Sequence, residues 1–131
     1  MSRILDLADA VAAELGDYDA EVLFIPEFDL KGTKGMRVIV VPAGTEFKAL
    51  SRAAHEERPC VHVGILKKAT EDDVPALVDF VQGLGNSFLN RRVLDSTCTA
   101  VVFDPVYSPG HLLDKGLFVS VMELTFKAVQ Q

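Results

Sequence analysis

Leu117–Val129 reads LFVSVMELTFKAV. Phe118, Ser120, Met122, Leu124 and Phe126 fall on one side of this stretch, and Val119, Val121, Glu123, Thr125 and Lys127 on the other. A period of two is that of a half-buried β-strand, so the stretch predicts the longest strand, with one face in a core. Working outward, Thr97–Phe103 (TCTAVVF) and Cys60–Leu66 (CVHVGIL) read as further strands, and Ala20–Ile25 as a first strand closing at Pro26. Met36–Val41 (MRVIVV) is a near-continuous apolar run ending at Pro42, which implies burial on both faces. Thr45–Arg52 alternates weakly and is expected as an edge strand. Ala53–Pro59 (AAHEERP) is polar and ends in proline, so it is expected as a loop or bulge.

Two helices complete the pattern. In Ser2–Leu15, residues Ile4, Leu5, Ala8, Val11, Ala12 and Leu15 recur at intervals of three and four, with Ser2 as N-cap and Gly16 as the left-handed residue after the end. The second begins at Thr70, followed three residues later by Asp73 in the manner of a capping box, with Pro75 in the first turn. Val74, Leu77, Val78, Val81 and Leu84 form its stripe, which Phe88 and Leu89 would continue, but Gly83 and Gly85 predict a kink or an early stop. Asp104–Asp114 is expected as a loop holding one helical turn after Ser108-Pro109. The order helix, strands, helix, strands, with mostly short connections, predicts an α+β fold: a largely antiparallel sheet of about five to six strands with two helices on one face.

The chain has 131 residues, 49% hydrophobic and 24% charged, with a formal net charge of −6. That length buries one real core and leaves no room for a second, so residues 1–131 are read as one domain. No apolar run approaches the ~20 residues of a membrane span, and acids interrupt the N-terminal apolar pattern, so neither an anchor nor a signal peptide is expected. An acidic balance disfavours a protein whose main work is neutralising phosphates. Two cysteines, Cys60 and Cys98, are too few for a disulfide framework and suit a reducing compartment.

The motifs of common chemistries fail on spacing or context. Gly32-Thr33-Lys34-Gly35 lies between strands and lacks the phosphate-loop spacing, Gly83-Leu84-Gly85 has no third glycine, and no G-x-S-x-G occurs. His55, Cys60, His62 and Cys98 could in principle make a tetrahedral zinc site, but no C-x-x-C or H-x-x-x-H spacing organises them. A cysteine nucleophile paired with His62 is disfavoured because apolar strands raise a thiol's pKa. The acid pairs Asp72-Asp73 and Glu56-Glu57 are sequence neighbours and do not face one point from opposed sides. No catalytic residue, metal or cofactor is therefore expected. Phe28, Leu30 and the Val106–Leu113 segment place large apolar side chains in expected loops, where they either close the ends of the core or form subunit contacts.

PEFDLK at 26–31, RVIVVP at 37–42, Ser51-Arg52, VHVGILKK at 61–68, DPVYSPGHL at 104–112 and FVSVMELTFK at 118–127, after the N-terminal helix, together resemble the tail-terminator or tail-completion proteins of tailed phages and prophages. The resemblance runs over nearly the whole chain and rests on the succession of segments, none of which is a catalytic signature. It implies a fold similar to that of the lambda tail terminator. It also implies a homo-oligomeric, typically sixfold ring in the virion, assembled in the bacterial host cytoplasm. Such a ring caps the tail tube, stops its polymerisation and offers a surface to the head–tail connector, so its expected partners are its own copies, the tube protein and the connector. Candidate subunit or tail contacts under this resemblance are Phe28, Leu30, Lys31, Arg37, Arg52, Asp104 and Tyr107. A ring closes through two different patches of one protomer, and a negative lumen would let DNA pass without gripping it. Gly83 and Gly85 depart from the family pattern. A head–tail connector or neck-completion ring is the alternative within this class, and a small cytoplasmic enzyme or ligand-binding module the alternative outside it.

Overall fold

The computed structural model describes residues 2–30 and 35–130. The chain runs α1 (Arg3–Glu14), β1 (Glu21–Val22), β2 (Met36–Ala49), β3 (His55–Lys68), α2 (Val74–Phe88), β4 (Arg92–Val93), β5 (Ser96–Phe103), α3 (Pro109–Lys115) and β6 (Leu117–Gln130). It is an α+β fold with a six-stranded sheet in the order β1-β2-β3-β6-β5-β4. Every pairing is antiparallel except β1 with β2, which is parallel, so the sheet is mixed.

The alternation of β6 holds: Phe118, Ser120, Met122, Leu124 and Phe126 are each 0% exposed. They face Leu7, Ala8 and Val11 of α1, Val81 and Phe88 of α2, and the same face of β2 and β3 through Val38, Val40, Val61, Val63 and Ile65. A second, smaller cluster on the opposite face joins Ile39, Leu66, Leu117 and Val119 to Leu23, Phe28 and Leu30. Loop 23–30 therefore lies as a strap over one end of that face. Burial of the Met36–Val41 run on both sides follows from the two clusters.

Several expectations need correction. The first strand is only Glu21–Val22, because Phe24 and Ile25 turn out to solvent rather than continuing it. Pro42 does not end its strand. β2 continues to Ala49 across a one-residue irregularity between Pro42 and Gly44, and Thr45–Ala49 is the distal half of the same strand. Pro42 is tolerated there because a proline on an outer edge forfeits no ladder bond. The polar stretch expected as a loop is mostly strand, since β3 begins at His55. Its acids find long-range partners: Arg3 Nε donates to Glu57 Oε1 at 3.1 Å, and Glu56 contacts Arg58 and lies 3.2 Å from Lys127 Nζ.

Helices differ as well. Ser2 flanks α1 in extended geometry without a side-chain capping bond, and the left-handed residue after it is Asp19 (φ 53°), not Gly16. The capping box at Thr70 forms, with the Thr70 N–H donating to Asp73 Oδ2 at 2.9 Å. α2 then runs unbroken through Gly83 and Gly85 to Phe88. The helical turn after Ser108 is a third helix, where two were expected. Ser108 Oγ accepts from the His111 N–H, and Gly116 (φ 60°) supplies the left-handed end.

Candidate functional site

The four residues of the imagined zinc site are divided by the sheet. Cys60 pairs with Thr125 and His62 with Glu123 on the strap-bearing face, whereas Cys98 pairs with Phe126 and points into the helix-covered core. His62 Nε2 lies 3.3 Å from Glu123 Oε1, and the His55 ring sits against Phe47 at 6.2 Å between centroids. Among the described residues no group of three or more His, Cys, Asp or Glu side chains is placed to hold a metal ion. Burial pushes both thiols up; at Cys60 the Glu123 carboxylate adds to that rise. Both cysteines should therefore label with a thiol reagent at neutral pH far more slowly in the native protein than after unfolding. One fast-reacting cysteine, or stoichiometric zinc by elemental analysis, would instead favour the enzyme reading.

The candidate assembly residues separate into interior and surface. Arg37, 7% exposed, holds down the strap: it donates to Glu21 Oε1 from Nε (3.1 Å) and Nη2 (2.8 Å), and to the Asp29 carbonyl from Nη1 (2.7 Å). Burial would lower its pKa, but Glu21 and Glu27 outweigh that and keep the guanidinium charged. Phe28 and Leu30 are half-buried in the second cluster, and the Phe28 ring meets His111 at 6.2 Å. Tyr107 stacks on Phe118 at 6.3 Å and 16°. These four bind the protomer to itself. Arg52 and Asp104 are exposed, in the β2–β3 turn and just after β5, and Lys31 lies outside the described residues.

Three features lay beyond the reading of the sequence. Phe24 and Ile25 are 73% and 77% exposed at the bend of the strap, beside the β2 edge. A cavity of about 80 Å³ opens on the strap-bearing face, lined by Pro26, Phe28, Ile39, Val41, His62, Gly64 and Val121. Val102, 51% exposed, lies on β5 toward the opposite edge. The ladder relates the two sites: Val41 pairs with His62, His62 with Glu123, and Glu123 with Val102, while the Leu23 N–H bonds the Val40 carbonyl at 2.9 Å. Leu23, the residue before the Phe24-Ile25 knuckle, and Val102 therefore lie beside one ladder row, toward opposite edges of the sheet. The only advance signal was the apolar run Leu23–Ile25, which reads equally well as a strand.

The fold and surface define an α+β protein with different apolar sites at two sheet edges. No family model matches the chain, and no curated protein is significantly similar to it. Among the described residues no helix is long and apolar enough to cross a membrane.

Proposed function

We propose that this protein is a structural, non-enzymatic component of a tailed-phage or prophage particle. In this reading it forms a homo-oligomeric ring that caps the tail tube, stops its growth and receives the head connector. The observation that carries the ring is the height match just described. Rotation about an axis along the strands moves one copy's Phe24-Ile25 knuckle toward the β5 edge of the next without changing its height, which is the geometry of a heterologous contact that closes. A protomer of net charge −6 also suits a ring through which DNA passes. The resemblance to tail terminators supplies the particular place in the particle, and with it the virion location and the tube and connector as partners.

Electron microscopy of lysates from the parent phage with this gene deleted, with and without complementation, tests the reading. Abnormally long, headless tails are expected, because tube growth loses its stop. Tails of normal length separated from filled heads would reassign the protein to the connector side of the neck. Intact infectious particles would overturn the assembly reading altogether.

A further inference from the structure

Beyond its pairing with β3, most of β2 pairs with no other strand among the described residues. Strand β1 covers Ile39 and Val40 alone, so among the described residues nothing pairs with the outer side of Gly44–Ala49. A free edge of this length is a template for another strand. Which backbone groups it offers follows from the ladder. The Val40 carbonyl accepts from Leu23, so even-numbered residues face outward before the irregularity, Pro42 among them. Pro42 pairs with Val61 but Gly44 with Cys60, so one residue of β2 is inserted between them. The outward set therefore becomes Thr45, Phe47 and Ala49. The Leu50 N–H turning inward to the Ala54 carbonyl at 3.1 Å agrees with this assignment.

The side chains along this edge are self-complementary in one antiparallel register. Outward groups must face outward groups, so the two-fold axis passes through position 46, 47 or 48, or through more distant positions with fewer pairs. Centred on 46, it sets Glu46 against Glu46; centred on 48, Lys48 against Lys48. Centred on 47, it sets Glu46 against Lys48 twice, Thr45 against Ala49 twice, and Phe47 against itself. Each strand's own neighbours extend the match. Lys48 pairs across β3 with Glu56, and Glu46 with Arg58, so a row across the junction reads Glu56, Lys48, then Glu46 and Arg58 of the second copy. The charges alternate through the whole row. On the other face Phe47, 64% exposed, would stack on its symmetry mate beside the two His55 rings.

We propose that the β2 edges of two copies pair antiparallel about Phe47, giving a two-fold dimer of the free protein that is independent of the ring. The occupant of this edge is a second copy of this chain, because opposite charges meet in that register and like charges in the neighbouring ones.

Sedimentation and air-oxidation crosslinking of the purified full-length protein test the pairing. Opposed residues in such a ladder have Cα atoms about 5.5 Å apart, within disulfide range. Phe47→Cys alone should crosslink to a dimer, Thr45→Cys alone should not, and the double variant Thr45→Cys/Ala49→Cys should. Lys48→Glu should raise the dimer dissociation constant about tenfold, because it sets like charges against each other twice across the junction. A protein that sediments as a monomer at high concentration, with no crosslink at 47, overturns the pairing. So does a hexamer without that crosslink, which would leave the ring reading standing. Crosslinking by Thr45→Cys alone would also reject this register.

Discussion

Gly85→Val is expected to lower the thermal midpoint by roughly 10 °C, while Gly83→Ala, two residues earlier in the same helix, is expected to raise it. A Cβ built on Gly85 falls 2.8 Å from Phe103 Cζ, closer than side-chain contact permits, and 3.0 Å from Phe103 Cε2 and 3.1 Å from Met122 Sδ, tight enough that both must give way. Valine adds two further methyls into that space, and overpacking of this kind costs about 1–3 kcal/mol or somewhat more. At the upper end this corresponds to roughly 10 °C for a domain between the calibrated size classes. A Cβ on Gly83 meets nothing within 4 Å, so alanine there gains about 1 kcal/mol of helix propensity with no opposing clash. Calorimetry or circular dichroism melts of both variants decide the matter. An unchanged midpoint for Gly85→Val would mean that α2 can ride away from β5 freely. The contact also bears on assembly, because Phe103 adjoins Val102, and a displaced Phe103 ring would disturb the edge assigned to the ring contact.

Gly83 and Gly85 show where the sequence was readable and where it was not. Glycine in a helical stripe carries an intrinsic penalty, so a kink was the natural expectation. Nothing local says that the helix axis passes close enough to the sheet for only hydrogen to fit between Gly85 and Phe103. The same division runs through the fold. The alternation in β6, the capping box at Thr70 and the turn at Ser108-Pro109 are local patterns, and all three formed. The beginning of β3 was hidden because Glu56 and Glu57 look solvated until Lys127 and Arg3, distant in sequence, are brought beside them. Arg58 and Lys127 hold the Glu56 carboxyl below the usual carboxylate range. That buried, paired state is what a polar composition conceals. Phe28, Leu30 and Tyr107 are legible as apolar residues outside regular strands, but that they close the core depends on the strap that Arg37 pins for the first two and on Phe118 of the helix-covered core for Tyr107. The surface pair Phe24 and Ile25 reads as strand because an apolar run has the same composition in either role.

Phe24→Asp/Ile25→Asp should abolish capping in the complementation assay and leave the protomer's melting midpoint almost unchanged. Both side chains are more than 70% exposed, and exposed substitutions away from special features usually move stability by no more than about 0.5 kcal/mol. In the ring the same side chains would be buried against the next copy, where each large apolar residue contributes about 1.5–3 kcal/mol. Losing both removes about 3–6 kcal/mol from every contact by the same measure, a factor of at least a hundred in its equilibrium constant. Burying two carboxylates there opposes assembly further. Phe28→Asp gives the necessary contrast, since it places a charge in the cluster with Ile39, Leu66 and Val119 and should lower the midpoint of the isolated protomer. If the Phe24/Ile25 variant is expressed at normal levels, melts normally and fully restores infectious particles, the knuckle is not a ring contact. If it melts early, the bend of the strap belongs to the protomer's core, and the height match with Val102 loses its meaning. A normal melt combined with overlong tails would support two separate surfaces: Phe28 and Leu30 hold the strap to its own sheet, and in the proposed ring Phe24 and Ile25 meet the neighbour.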